Sequence, residues 1–235
     1  MATPPTFVAE YESAWTNAGT PKSVNVTTQP GDILAWLAAT RDAGTTVNTL
    51  SAGGGGMAWS FPEFSLVAST CGLYIGIAQA TLAETFTLTA TAVSGTTVGF
   101  WGFNCLRFSG VSSIGAGVVN SPGASGVPSI SITTLQANSA IVLINADWNA
   151  IDGAARSWLT NAGPFTEQSY ARSAGNYAIY GGYHADSGNP GAKIVGLSNI
   201  AGQKYAIAAL ELQGVPGGGT TPDTNKRKRK SLLVR

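Results

Sequence analysis

Thr85-Phe86-Thr87-Leu88-Thr89-Ala90-Thr91-Ala92-Val93 alternates polar and apolar residues without a break. A period of two sends successive side chains to opposite faces, so this stretch reads as a strand with one wet face and one in a core. Ser23-Val24-Asn25-Val26-Thr27 and Ser129-Ile130-Ser131-Ile132-Thr133 carry the same period. Other stretches are continuous apolar runs of strand length: Ile33 to Ala39, Gly72 to Ala80, Ala140 to Ile144 and Tyr205 to Leu212. Their β-branched and aromatic content favours strand, and the missing polar face predicts burial on both sides. Pro30-Gly31-Asp32, Gly53 to Gly56, Ser94-Gly95, Ser121-Pro122-Gly123, Gly163-Pro164 and Asn189-Pro190-Gly191 supply the turns between them. About a dozen short strands at this spacing predict an all-β, jelly-roll-like antiparallel β-sandwich. Helical signal is limited to a turn near Ala150–Trp158 and another near Asp42.

Composition agrees. Hydrophobic residues make up 44% of the 235-residue chain and charged residues 11%, against about 25% charged in an ordinary domain. Such a chain buries a sizeable core and is not disordered in bulk. Its surface is expected to be Ser, Thr, Asn and Gly, or to be covered by neighbours. The 30 glycines follow no Gly-X-Y period, which excludes collagen.

The alternating strands can be read as a duplication. Ser23-Val24-Asn25-Val26-Thr27-Thr28, a turn and Ile33-Leu34-Ala35-Trp36-Leu37-Ala38-Ala39 form one unit. Ser129-Ile130-Ser131-Ile132-Thr133-Thr134, a turn and Ala140-Ile141-Val142-Leu143-Ile144-Asn145-Ala146 form the other. Leu50-Ser51-Ala52-Gly53 follows the first and Leu159-Thr160-Asn161-Ala162-Gly163 the second. Two face-to-face meanders making one sandwich would explain this; convergent strand–turn–strand patterning is the alternative. Gly110 to Pro128 is read as the joining loop. It is too apolar for a free linker, so residues 1–213 are taken as a single domain.

The charges are unevenly placed. Residues 1–222 hold seven basic and eleven acidic residues, a net of −4, whereas 223–235 hold six basic and one acidic, a net of +5. Residues 214–225 are a Gly/Pro/Thr linker by composition. Residues 226–235 form a basic–apolar peptide: Lys226, Arg227, Lys228, Arg229 and Lys230, then Ser231, Leu232, Leu233, Val234 and Arg235. Cys71 and Cys105 sit in apolar runs and are expected to be buried thiols. No signal peptide and no apolar run of about 18 residues is present, so the chain is expected to be made in a cytoplasm and not to span a membrane.

The strand order resembles a known family. Its carriers are Pro30-Gly31-Asp32-Ile33-Leu34 before a buried strand, the Gly-rich turn before Met57 to Phe61, and Ala83-Glu84-Thr85-Phe86-Thr87-Leu88-Thr89. Arg107-Phe108-Ser109-Gly110, the Ser-Ile-Ser-Ile-Thr-Thr unit and the closing Ala206-Ile207-Ala208-Ala209-Leu210-Glu211-Leu212 complete the set. Together they resemble the jelly-roll, lectin-like β-sandwich minor tail proteins of tailed actinobacterial phages. The Leu-Leu-Val-Arg ending is similar to C-termini of such proteins. The resemblance spans roughly residues 6–213 plus the tail. It implies a virion protein and brings no catalytic residue or cofactor with it.

The residues themselves offer little for catalysis. His184 is the single histidine. No Gly-x-Ser-x-Gly elbow accompanies it, and a surface or rim position is expected. Glu10/Glu12 and Asp147/Asp152 are the carboxylate pairs a glycosidase could use. With 12 acids in the chain, such neighbours also arise by chance. Gly53 to Gly56 lacks the Lys-Ser/Thr of a phosphate loop and reads as a turn. No spacing of ligands suggests a metal.

Aromatic side chains offer more. Trp36 and Trp101 are expected in the core. Trp59, Trp148 and Trp158 lie beside turns, and Tyr170, Tyr177, Tyr180 and Tyr183 cluster with Asn176, His184 and Asp186. These aromatics are candidates for an interface first, then for the core or no role, and least for a host-surface glycan stacked on a ring. The C-terminal peptide is the candidate docking element. Its apolar end can add to a neighbour's sheet while the basic run meets an acidic surface. Without interleaved aromatics nucleic acid is disfavoured as its target. The expectation is a non-catalytic virion component, a minor tail protein that binds copies of itself and other virion proteins. A capsid decoration or spike protein and a receptor- or glycan-binding module are the alternatives, with a nucleic-acid-binding coat protein behind them.

Overall fold

Seventeen strands carry the chain, in a computed structural model that describes residues 2–16, 21–41, 45–51, 57–67, 71–94, 99–121, 124–148, 156–173 and 177–216. In the first half they are β1 (Thr6–Glu12), β2 (Lys22–Thr28), β3 (Ile33–Thr40), β4 (Thr45–Ser51), β5 (Ser60–Val67), β6 (Cys71–Gln79), β7 (Glu84–Ser94) and β8 (Trp101–Ser109). The second half holds β9 (Val111–Asn120), β10 (Ser125–Gly126), β11 (Ser129–Thr134), β12 (Ala140–Trp148), β13 (Ser157–Trp158), β14 (Phe165–Ser173), β15 (Tyr177–His184), β16 (Gly191–Asn199) and β17 (Gln203–Gly214). All pairings between these strands are antiparallel. The fold is the expected all-β antiparallel sandwich, and no helix occurs among the described residues. Ser157–Trp158, where a helical turn was expected, is a short strand. Asp42 and residues 149–155 lie outside the described residues.

The order β1-β8-β3-β6-β5 in one sheet recurs as β9-β17-β12-β15-β14 in another. The order β2-β7-β4 recurs as β11-β16-β13. Each half is thus a complete two-sheet unit in jelly-roll order, save that its fifth strand stays beside the sixth. The repeat is deeper than the two meanders read from the sequence, because each half supplies two sheets rather than one. The joining segment differs too: Gly110, at a φ of +71°, turns β8 directly into β9. That strand then runs along β17.

Four layers result. In β2 and β7 the apolar residues Val26, Phe86, Leu88 and Ala90 point inward onto Leu34, Trp36, Ala38, Trp101 and Phe103. Outward, Ser23 meets Thr89 at 2.8 Å and Thr27 meets Thr85 at 2.9 Å. The predicted alternation is therefore observed, one face in the core and one a hydroxyl ladder. Ile130, Ile132 and Val195 cover Ile141, Leu143, Ile207 and Ala209 in the same manner. Between the halves the two long sheets meet over Ala35, Leu37, Ile75, Leu106, Val142, Ile144, Ile179, Ala208 and Leu210. This explains why β3, β6, β12, β15 and β17 are apolar on both faces: each has a partner layer above and below. Trp36 and Trp101 are fully buried, as expected. Cys71 and Cys105 are buried thiols with no disulfide.

Phe7 on β1 stacks on Tyr183 of β15 at 4.7 Å, while β5 lies against β9 at the opposite edge. The two halves approach each other more closely along β5 and β6 against β9, β12 and β17 than at the Phe7 edge.

Candidate functional site

Tyr177, Tyr180 and Tyr183 do not form an accessible aromatic patch. They lie on β15 at 0%, 0% and 7% exposure. Tyr177 and Tyr183 face the layer between the halves, and the Tyr177 hydroxyl donates to the Thr40 carbonyl of the first half at 2.7 Å. Tyr180 faces the opposite way into the second sandwich, stacked on Tyr170 at 5.5 Å. The glycines that made this stretch look like a loop are packing requirements. A Cβ on Gly182 would lie 2.2 Å from the Thr166 carbonyl oxygen, and one on Gly181 would lie 2.7 Å from the Ser169 hydroxyl. Trp59 is half-buried against the first half's core. Trp148 ends β12, opposite Tyr177 and Lys204 in register. Asn176 lies outside the described residues.

Trp158 and Tyr170 remain half-exposed, and the structure joins them to two charges that sequence reading did not single out. The Arg156 guanidinium sits 3.8 Å above the Tyr170 ring. Its Nε donates to Glu167 Oε2 at 2.6 Å, and its Nη2 donates to Oε1. Trp158 Nε1 donates to the same Oε2 at 3.0 Å, and its ring stacks on Phe165 at 3.8 Å. The Glu167 hydrogen bond, opposed by burial, holds the Arg156 pKa above its ordinary value. The group braces β13 against β14, with the Arg156 side chain 16% exposed.

The carboxylate candidates are taken up by neutral donors. Asn104 Nδ2 donates to Glu10 at 2.7 Å, and Trp15 Nε1 donates to Glu12 at 2.7 Å. Burial pushes both carboxyls up; at Glu10 the nearby Glu12 charge adds to the shift. Asp147 is fully buried beside Asn145, whose Nδ2 donates at 3.2 Å. Burial pushes its carboxyl up to about 7, against the hydrogen bond from Asn145 and the nearby Tyr180 hydroxyl. Asp152 lies outside the described residues. His184 is not a rim residue. It is fully buried, with Nδ1 2.9 Å from the Gly163 carbonyl and the ring edge-on to Phe165. Burial lowers its pKa, against the backbone hydrogen bonds at Gly163 and Pro164.

The chain leaves the body at a pinned point. The Gly214 carbonyl accepts from Ser112 Oγ and from Gln136 Nε2, each at 2.6 Å. The Thr3 amide donates to the Val215 carbonyl at 3.0 Å. Pro216 is the last described residue. The remainder of the linker and all of Lys226 to Arg235 lie outside the described residues, as does the Gly53–Gly56 turn.

Glu211 is the functional residue of the framework that sequence reading passed over. Its carboxylate accepts from the amides of Ala116, Leu135 and Gln136 and from Ser139 Oγ at 2.7 Å. A signal was present: a carboxylate inside a run apolar on both faces must find donors. Among the described residues, no group of three or more His, Cys, Asp or Glu is arranged to hold a metal.

No protein-family model, no curated protein and no solved structure matches this chain.

Proposed function

We propose that this chain is a structural virion protein of a tailed phage, a minor tail protein that self-assembles and docks on the particle through residues 226–235. The observation that carries this reading is the pairing of a rigid four-layer block with a chain end fixed at Gly214 and Val215. Beyond that point the sequence continues into a Gly-rich spacer, five consecutive basic residues and Leu-Leu-Val-Arg. A block whose apolar strands are already covered on both faces has no core position left for that peptide, which favours a partner outside its own core. Its charge suits an acidic partner, and the body carries a net of −4. On this reading the chain is not an enzyme and needs no cofactor.

One observation favours a second reading. Trp158, Tyr170, Arg156 and Glu167, all partly buried, bring aromatic rings and charged groups together, as a glycan-binding module would.

Gold labelling of the C-terminus in purified particles tests the primary reading. Label along the tail is the expected result. Label on the head would make this a decoration or spike protein, and particles without label would overturn the virion assignment. A glycan array run with the intact chain and with Tyr170→Ala tests the second reading.

A further inference from the structure

Glu10 and Glu12 are one strand period apart, so both carboxylates leave the same face of β1. Register sets Glu10 opposite Leu106 and Glu12 opposite Asn104 of β8. Leu106 belongs to the layer between the halves, so this is the face that fronts the second half. Asn104 therefore stands beside both glutamates, although it is 94 positions from Glu10 in the sequence. No local spacing displays that convergence. Glu10 is half-buried and Glu12 exposed, which opens this edge to water.

The Asn104 amide is walled in on its other sides. Leu37 flanks it on β3, and Leu106 lies two residues on along β8. Trp15 covers the opposite direction, where a Cβ on Gly102 would lie 2.6 Å from its ring. Glu10 fixes the sense of the amide, because a carboxylate accepts from Nδ2, here at 2.7 Å, and repels Oδ1. Asn104 is fully buried, and among the described residues no protein donor reaches its Oδ1. A buried amide oxygen of this kind calls for a partner. Each carboxylate has one oxygen held by a neutral donor: Glu10 Oε1 by Asn104 Nδ2, and Glu12 Oε1 by Trp15 Nε1 at 2.7 Å. The Glu12 charge works against ionisation of Glu10, and the donors that oppose this are neutral.

Three oxygens thus gather at one edge: a second carboxylate oxygen from each glutamate and Oδ1 of the amide. Strand geometry puts Glu10 and Glu12 about 7 Å apart at Cα and Asn104 about 5 Å from Glu12, a spacing that lets three side chains meet around one ion. An all-oxygen set with two charges selects a hard cation. Flexible glutamates suit the irregular shell of Ca²⁺ better than the strict octahedron of Mg²⁺. A buried water would satisfy the amide but leave the paired charges as they are. We infer that Glu10, Glu12 and Asn104 bind a calcium ion at the edge of β1, with water completing its shell. Asn104 Nδ2 and Trp15 Nε1 orient the two carboxylates from behind, as outer-shell donors do. The ion ties β1 to β8 along the edge where the first half meets the second. With two carboxylates and one amide the affinity is expected at about 10⁻⁴–10⁻³ M. This inference stands apart from the assembly reading.

Terbium, a luminescent mimic of calcium, tests the site in the full chain. Excitation of tryptophan is expected to sensitise bound Tb³⁺, because Trp15 bonds a ligand directly. Ca²⁺ should displace the signal, and Mg²⁺ at equal concentration should not. Glu12→Gln is expected to weaken Tb³⁺ binding about tenfold or more, and Trp15→Phe to lose most of the sensitised emission. Unchanged affinity in Glu12→Gln, or full emission from Trp15→Phe, would place the ion elsewhere and overturn the site. A thermal scan of chelator-treated protein gives a second readout. Its midpoint should rise with added Ca²⁺; an equal rise with Mg²⁺, or none with either ion, would overturn the proposal. Asn104→Asp adds a third carboxylate and is expected to tighten Ca²⁺ about tenfold. Lower stability with no gain in affinity would make Asn104 a packing residue and contradict its place among the ligands. Should Asn104→Asp not fold, the Glu12→Gln and Trp15→Phe results decide.

Discussion

The two halves share a turn and stabilise it with different chemistry. Between β2 and β3, Gly31 takes a φ of +87°; between β11 and β12, Asn138 takes +57° at the equivalent place. The Gly31 amide donates to the Ala80 carbonyl, and that of Asn138 to the Gly188 carbonyl. In the first half the carboxylate comes from the turn itself. Asp32 accepts the Gln29 amide at 2.7 Å and is bridged by Arg107 of β8 at 2.6 Å. In the second half the carboxylate comes from the strand: Glu211 stands where Arg107 stands, and Ser139 where Asp32 stands. The fold requires that buried turn amides be satisfied; it does not require that the acceptor come from one particular position.

The Glu211 arrangement is the more exposed to damage, because one carboxylate serves four donors. Glu211→Ala leaves the Ala116, Leu135 and Gln136 amides and the Ser139 hydroxyl without their acceptor. It should cost about 3–5 kcal/mol in urea unfolding. Asp32→Ala should cost less, since only Gln29 and Arg107 lose a partner.

The next contrast lies on the neighbouring strands β3 and β12. The first half has Ala38 and Thr40 where the second has Asn145 and Asp147. Asp147 has a folded pKa near 7, above the ordinary carboxyl value. Its protonated form is therefore the one the fold favours. That contribution is complete below about pH 4 and is lost as pH rises through 7. Asp147→Asn should leave stability nearly unchanged near pH 4 and raise it by about 4 kcal/mol above pH 8, read from denaturation at both pH values. A flat difference across pH would contradict the assigned burial. Glu211 behaves oppositely. Although burial pushes it up, the Ala116, Leu135, Ser139 and Gln136 donors hold its pKa below the usual value, so its contribution is lost as pH falls.

Converting one turn into the other gives a smaller effect. Arg107→Glu alone sets two carboxylates against each other and should cost about 2–3 kcal/mol. Arg107→Glu with Asp32→Ser rebuilds the second half's arrangement and should recover at least about 1 kcal/mol of that. Smallest of all, Asn138→Ala should cost about 1 kcal/mol more than Asn138→Gly through its positive φ, both losing the Nδ2 bond to the Ala2 carbonyl.

Much of this was legible beforehand, and the parts that were not have physical causes. Val24, Val26 and Thr28 occupy the inward positions that Ile130, Ile132 and Thr134 occupy in the other half. Those alternating strands exposed the repeat. The outer sheets hid its extent, because Thr85-Phe86-Thr87-Leu88 corresponds to Ala192-Lys193-Ile194-Val195, and that pairing retains only the inward Leu88/Val195 match. Gly110 to Pro128 passed for a loop because of its glycines. A Cβ on Gly115 would lie 2.1 Å from the Glu211 carboxylate, so that glycine makes room for the acceptor. The β15 tyrosines were misassigned for a similar reason, glycines needed for close packing being read as turn signals. Phe61-Pro62-Glu63 and Phe165-Thr166-Glu167 could have revealed more. Phe61 lies over Gly76, and Phe165 over the equivalent Gly182.

The most direct test of the account is the mass of the protein in solution, by light scattering, for the full chain and for a chain ending at Gly214. The account predicts an oligomer for the first and a monomer of the same fold for the second. Two monomers with the same hydrodynamic behaviour would contradict it.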